Sequence, residues 1–157
     1  MEIPTLLRQH FEDPYHRGTC EHPTHSAEKH CPESGCVISM DVLLDAATNA
    51  CQEAWFDGQG CEVCEGIASM LVEDLERRPE ALAEWAAAIE GLNDPPRSVS
   101  RRASLLRRLG LSDLDGLPQV PCIDLPFLVL GAIVQQAADD DPLAWPHFGG
   151  PSLGEEV

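Results

Sequence analysis

The chain has 157 residues, with 27 acidic side chains against 10 Lys plus Arg, and a formal net charge of -17. That charge excludes a general DNA or RNA binder, and an anionic membrane surface as partner of the whole chain, since both need a positive face. A hydrophobic content of 43% excludes wholesale disorder, and apolar runs such as Leu125 to Val134 fall well short of the ~20 residues a membrane-spanning helix needs.

Residues 1–13 read as a short helix, with Leu6, Leu7, His10 and Phe11 at helical spacing and Pro14 closing it. Residues 14–36 hold Cys20, Cys31 and Cys36, with His16, His22, His25 and His30, and little apolar material. They read as a loop, open to ordering by a metal through His22, His25, His30, Cys20 and Cys31. Residues 37–57 read as a hairpin: Val37 to Leu43 alternate as a strand, Asp45 to Asn49 supply turn chemistry, and Ala50 to Phe56 begin a second alternation. The Asp57-Gly58-Gln59-Gly60 run then marks a loop ending at Cys61.

Residues 63–77 form an amphipathic helix pattern, broken at Arg78-Pro79, and Pro79 suits the first turn of a helix running to Ile89. A basic helix is expected over 97–109, with Arg97, Arg101, Arg102, Arg107 and Arg108 and no acid inside. In so acidic a chain this segment reads either as a solvated helix face balancing nearby acids or as a docking surface for an acidic partner face. A loop over 111–121 precedes the last helix, Asp124 to Asp140, with Asp124 as its cap. The elements predict a small α+β domain, an antiparallel sheet with helices packed on one face, spanning 1–140 and followed by an acidic flexible tail over 141–157. Two strands make a marginal sheet, so a third is expected near 18–22 or elsewhere in the first loop.

Cys36, Cys61, Cys64 and Cys122 each sit at the end of a predicted element, where distant segments converge. The Cys61-x-x-Cys64 spacing lets two thiolates reach one metal. Cys61, Cys64 and Cys122 lie at predicted helix starts, where free backbone N–H groups favour thiolate. Sulfur ligation suits zinc or an iron–sulfur cluster. A structural-zinc interaction module and a Cys61/Cys64 redox pair are the other readings. Cys51, inside a strand pattern, reads as core. The N-terminal MEIPTLLRQHFEDP lacks a signal pattern, so a reducing, cytoplasmic location is expected.

These residues resemble the iron–sulfur cluster assembly scaffolds of the IscU/SufU/NifU N-terminal family over roughly residues 5–138. Leu7, His10-Phe11, Pro14, His16 and Gly18 are similar to its opening pattern, Phe56-Asp57-Gly58-Gln59-Gly60-Cys61 to its Phe-x-Gly-x-Gly-Cys turn, and Pro121-Cys122-Ile123-Asp124-Leu125 to its last cysteine. Residues 79–118 resemble the longer insertion of the SufU-like branch. The resemblance implies a scaffold or sulfur carrier rather than a turnover enzyme, holding iron, a [2Fe-2S] cluster or zinc. Its implied partners are a cysteine desulfurase and apo acceptor proteins. It implies sulfur acceptance at Cys122. The chain departs from the family's Asn-Pro-x-Cys-Gly-Asp at Cys31-Pro32-Glu33-Ser34-Gly35-Cys36, where serine stands at the cysteine position and Cys36 at the aspartate. The family's three cysteines and one aspartate then become Cys36, Cys61, Cys64 and Cys122.

Overall fold

The computed structural model describes residues 4–112, 114 and 121–140. Helix α1 (Thr5–Glu12) leads to strands β1 (His25–His30), β2 (Val37–Leu44) and β3 (Cys51–Gln59). Helices α2 (Glu62–Arg77), α3 (Ala81–Ile89) and α4 (Pro95–Arg108) follow, then a short 3-10 turn (Pro121–Ile123) and α5 (Leu125–Asp140). The three strands form one antiparallel sheet in the order β1-β2-β3. This is the α+β architecture expected from the sequence.

The central strand explains the layering. Ile38, Met40, Val42 and Leu44 are buried while the residues between them stay partly exposed, so one face of the sheet meets the helices. Burying side chains of this size is worth roughly 1.5–3 kcal/mol each. Helix α2 is the hub of that layer, with eleven buried residues. A Cβ at Gly66 would lie 2.6 Å from Leu7 Cδ1 and 2.9 Å from the Leu7 carbonyl oxygen, so glycine lets α1 cross α2 closely. Trp85 of α3 packs on Phe127 of α5, with ring centroids 6.1 Å apart. Its indole N–H donates to Asp74 of α2 at 2.8 Å.

The third strand expected near 18–22 or elsewhere in the loop over 14–36 is β1, at 25–30. His-Ser-Ala-Glu-Lys-His carries no apolar alternation, and five of its six residues are polar or charged. It is an edge strand held by its ladder to β2, from His25↔Val42 to His30↔Val37, and polar edges discourage further pairing. Helix α5 braces it: Gln136 donates to the Ser26 carbonyl at 2.8 Å, and His25 Nε2 lies 2.9 Å from Asp140. The β1–β2 turn closes with Cys31 N–H donating to the Cys36 carbonyl and Gly35 N–H to the Cys31 carbonyl, with Gly35 at φ +80°. Asp45 accepts from the Ala47 and Thr48 amides in the expected β2–β3 turn.

Further boundaries differ from the sequence expectation. Asp57, Gly58 and Gln59 belong to β3, because Gly58 pairs with Ile38 and Gln59 with Val37. Pro79 lies in the turn before α3, not in its first helical turn. Asp124 spends its carboxylate on Arg102, at 2.7 and 2.9 Å, rather than on capping α5. Most of the loop expected over 111–121 and the whole tail over 141–157 lie outside the described residues. No helix of the described residues is long and apolar enough to cross a membrane.

Candidate metal centre

Three segments far apart in the chain deliver the four sulfurs of the centre. Cys36 comes from the β1–β2 turn, Cys61 from the N-cap position of α2, Cys64 from its first turn, and Cys122 from the 3-10 turn before α5. Their sulfurs all lie within 4.8 Å of one another. Cys36, Cys64 and Cys122 are buried and Cys61 is partly exposed. All four residues expected from the sequence are therefore brought together. A tetrahedron of metal–sulfur bonds of about 2.3 Å has edges of about 3.8 Å, so the donor set fits a thiophilic ion or cluster after small side-chain movements.

Two glycines make the convergence sterically feasible. Gly58 has φ +140°, and a Cβ there would sit 2.0 Å from the Val37 carbonyl oxygen. A Cβ at Gly60 would sit 2.2 Å from Cys64 Sγ and 3.6 Å from Cys36 Sγ. The glycines of the Gly-Gln-Gly-Cys run thus leave room for strand β2 and for the sulfurs themselves.

Three of the thiols are coupled through their protons. Cys61 Sγ and Cys122 Sγ are 2.7 Å apart. Hydrogen bonds from the Cys122 and Cys64 thiols, with the Cys64 and Val63 amides at the start of α2, hold Cys61 far below the ordinary thiol value. Cys64 and Cys122 are pushed up, chiefly by sharing their protons with their sulfur neighbours and then by burial. A bound cation deprotonates ligating thiols outright.

The other candidates separate from this centre. Among the described residues, the four cysteines are the one group of His, Cys, Asp and Glu close enough to hold a metal. The His22, His25, His30, Cys20 and Cys31 group does not assemble; His25 bonds Thr24 and Asp140 instead. Cys51 is core, donating to the Glu53 carbonyl, and burial pushes its thiol up to about 12. Asp57 pairs with Arg17 at 3.5 Å.

Arg17 and Glu65 are functional-site neighbours that sequence reasoning missed. Residues 16–18 run beside β3 in parallel, with the Gly18 amide donating to the Phe56 carbonyl at 2.7 Å and the Phe56 amide to the His16 carbonyl at 3.2 Å. His16 takes φ 45° there. This track carries the Arg17 guanidinium onto Glu65, and its other amino group donates to the Gly58 carbonyl at 2.6 Å. Glu65, only 7% exposed, also accepts the Gly60 amide at 2.8 Å. The one available signal was an acid opening an apolar helical stretch, Gly66 to Val72.

The profile of the NifU-like N terminal domain family matches residues 5–95, more than half of the chain. The chain belongs to that family. No curated protein matches the chain. The NifU-like fold is also seen in solved structures. A Nitrogen-fixing NifU-like protein (N-terminal) from Brucella abortus superposes with a TM-score of 0.65 at 9% identity, covering 87% of this chain and 94% of that one. A putative iron-sulfur cluster assembly scaffold protein for SUF system from Fervidobacterium islandicum AW-1 gives 0.62 at 16% identity, covering 83% and 95%. A hypothetical protein gives 0.55 at 20% identity, covering 83% and 94%. At these identities the structures bear on the fold. This NifU-like domain carries a cysteine cluster able to coordinate a metal ion, in keeping with the scaffold role its family implies.

Proposed function

We propose that the protein is an iron–sulfur cluster assembly scaffold or sulfur acceptor of the SufU-like kind, acting in a reducing cytoplasm. Its cargo, iron or a [2Fe-2S] cluster, is held by Cys36, Cys61, Cys64 and Cys122. The observation that carries the reading is the convergence of four sulfurs within 4.8 Å on a NifU-like fold. A four-sulfur set binds zinc as readily, so tightly held zinc is the competing occupant. The seven free thiols support a reducing compartment.

Sulfur acceptance at Cys122 gains a route from the geometry. Cys122 is 2% exposed, whereas Cys61 is partly open and in contact with it. In the metal-free protein the Cys61 thiolate attacks the outer sulfur of a donor persulfide, forming Cys61–S–SH and releasing the donor thiolate. Cys122 then takes that sulfur, its thiol proton passing to Cys61 as Cys61 leaves. The donor fitting this step is a cysteine desulfurase, and the recipients of the finished cluster are apo acceptor proteins. Helix α4 supports docking beside the site. Three of its arginines are tied to Asp94, Asp124 and Glu84. Arg107 is exposed, and the Arg102–Asp124 pair fixes the helix two residues from Cys122.

Anaerobic reconstitution with iron, a cysteine desulfurase and cysteine tests the reading. Visible absorption of a labile cluster, transferred to an apo acceptor, supports it. One tightly held zinc, with no persulfide on Cys61 or Cys122 and no cluster transfer, refutes it in favour of a structural-zinc module.

A further inference from the structure

We propose that Arg17 and Glu65 are positioning residues that lock the β3–α2 connection so that Cys61 and Cys64 present their sulfurs to one metal. This rests on the metal-binding reading above.

Glu65 lies on the first turn of α2, directly after Cys64. One of its oxygens receives the Arg17 guanidinium and the other the Gly60 amide at 2.8 Å. Arg17 in turn donates to the Gly58 carbonyl at 2.6 Å, lies 3.5 Å from Asp57, and sits 5.7 Å from the Phe56 ring centroid. One ion pair therefore ties both ends of the segment 57–65, which contains both cysteines of the Cys-x-x-Cys pair. The neighbouring contact is unforgiving, because Cys64 Sγ occupies the space where a Gly60 side chain would begin. The Cys64 sulfur therefore packs against the stretch of backbone that Glu65 holds.

Charge explains why the two residues come as a pair. A buried carboxylate beside a cluster of thiolates is unfavourable unless compensated. Arg17 supplies that compensation, and its planar fork serves Glu65 and the Gly58 carbonyl together. Groups behind metal ligands typically change metal affinity 10- to 100-fold when removed.

The test uses the full chain and Co2+ as probe, read by thiolate-to-metal absorption and by competition with a chromophoric chelator. Arg17→Met and Glu65→Ala are expected to weaken Co2+ binding about 10- to 100-fold. The double variant Arg17→Met/Glu65→Met separates positioning from stability. It removes the buried Glu65 carboxylate together with its Arg17 partner, leaving no uncompensated buried charge, so its melting temperature returns towards wild type. Its Co2+ affinity stays low, because Gly60 N–H and the Gly58 carbonyl have lost their partners. A double variant that binds Co2+ as tightly as wild type, with the same spectrum, overturns the positioning role. A wild-type protein that binds no Co2+ overturns the metal reading itself, which distinguishes the two failures.

Discussion

Gly60→Ala is the sharpest single test of the centre's geometry. The new methyl carbon would lie 2.2 Å from Cys64 Sγ, against ordinary non-bonded contacts of about 3.5–4.0 Å. The overlap exceeds about 1 Å, and Cys64 is fully buried. Overpacking of this kind costs about 1–3 kcal/mol. If the metal requires Cys64 in its present position, binding must restore the clash, and affinity falls about 5- to 150-fold at 1.4 kcal/mol per tenfold. Chelator competition with Zn2+ measures that loss, and thermal unfolding of the metal-free protein follows stability alongside. Combining Gly60→Ala with Cys64→Ala removes the clash, so the alanine at 60 should then cost little stability. Wild-type affinity and stability in Gly60→Ala alone would refute the packing of Cys64 against Gly60.

Cys36→Asp places an oxygen ligand where the resembling family has one, and chelators should strip metal about tenfold faster, equivalent to about 1.4 kcal/mol; an unchanged stripping rate would show that Cys36 does not tighten the site. Asp74 bonds Arg78 and Trp85, and the Arg78 guanidinium foremost holds its carboxyl below the ordinary 3.8. A depressed acid contributes stability that is complete above 3.8 and lost as pH falls through its folded-state value. Asp74→Asn should therefore cost about 1–2 kcal/mol at neutral pH, with the gap closing in acid; denaturant unfolding showing a gap constant down to about pH 2 would contradict this. Cys61→Ser should abolish persulfide accumulation at Cys122 from a desulfurase, as read by mass spectrometry of the metal-free protein; full labelling of Cys122 in that variant would show that sulfur reaches Cys122 directly.

Much of the molecule was legible in the chain because its signals are local. The 3.6-residue periods of α2 and α3, the alternation of β2 and the Asp45 turn follow from side-chain periodicity and turn chemistry acting over a few residues. The four cysteines were legible for a related reason: each ends an element, and ends of elements meet where layers close. Strand β1 was not legible as a strand, since a polar edge strand owes its conformation to the backbone ladder of β2 and the brace of α5 rather than to its own residues. The same holds for the Arg17–Glu65 pair, made by a parallel track along β3 between residues 48 apart in sequence. The chain alone determined which residue types could build a sulfur-rich centre on a NifU-like domain. Only the tertiary structure showed that the four sulfurs do converge within 4.8 Å, that the histidines stay out, and that an ion pair between Arg17 and the buried Glu65 stands behind the ligands. Convergence of distant segments depends on packing across the whole core, which no local period encodes.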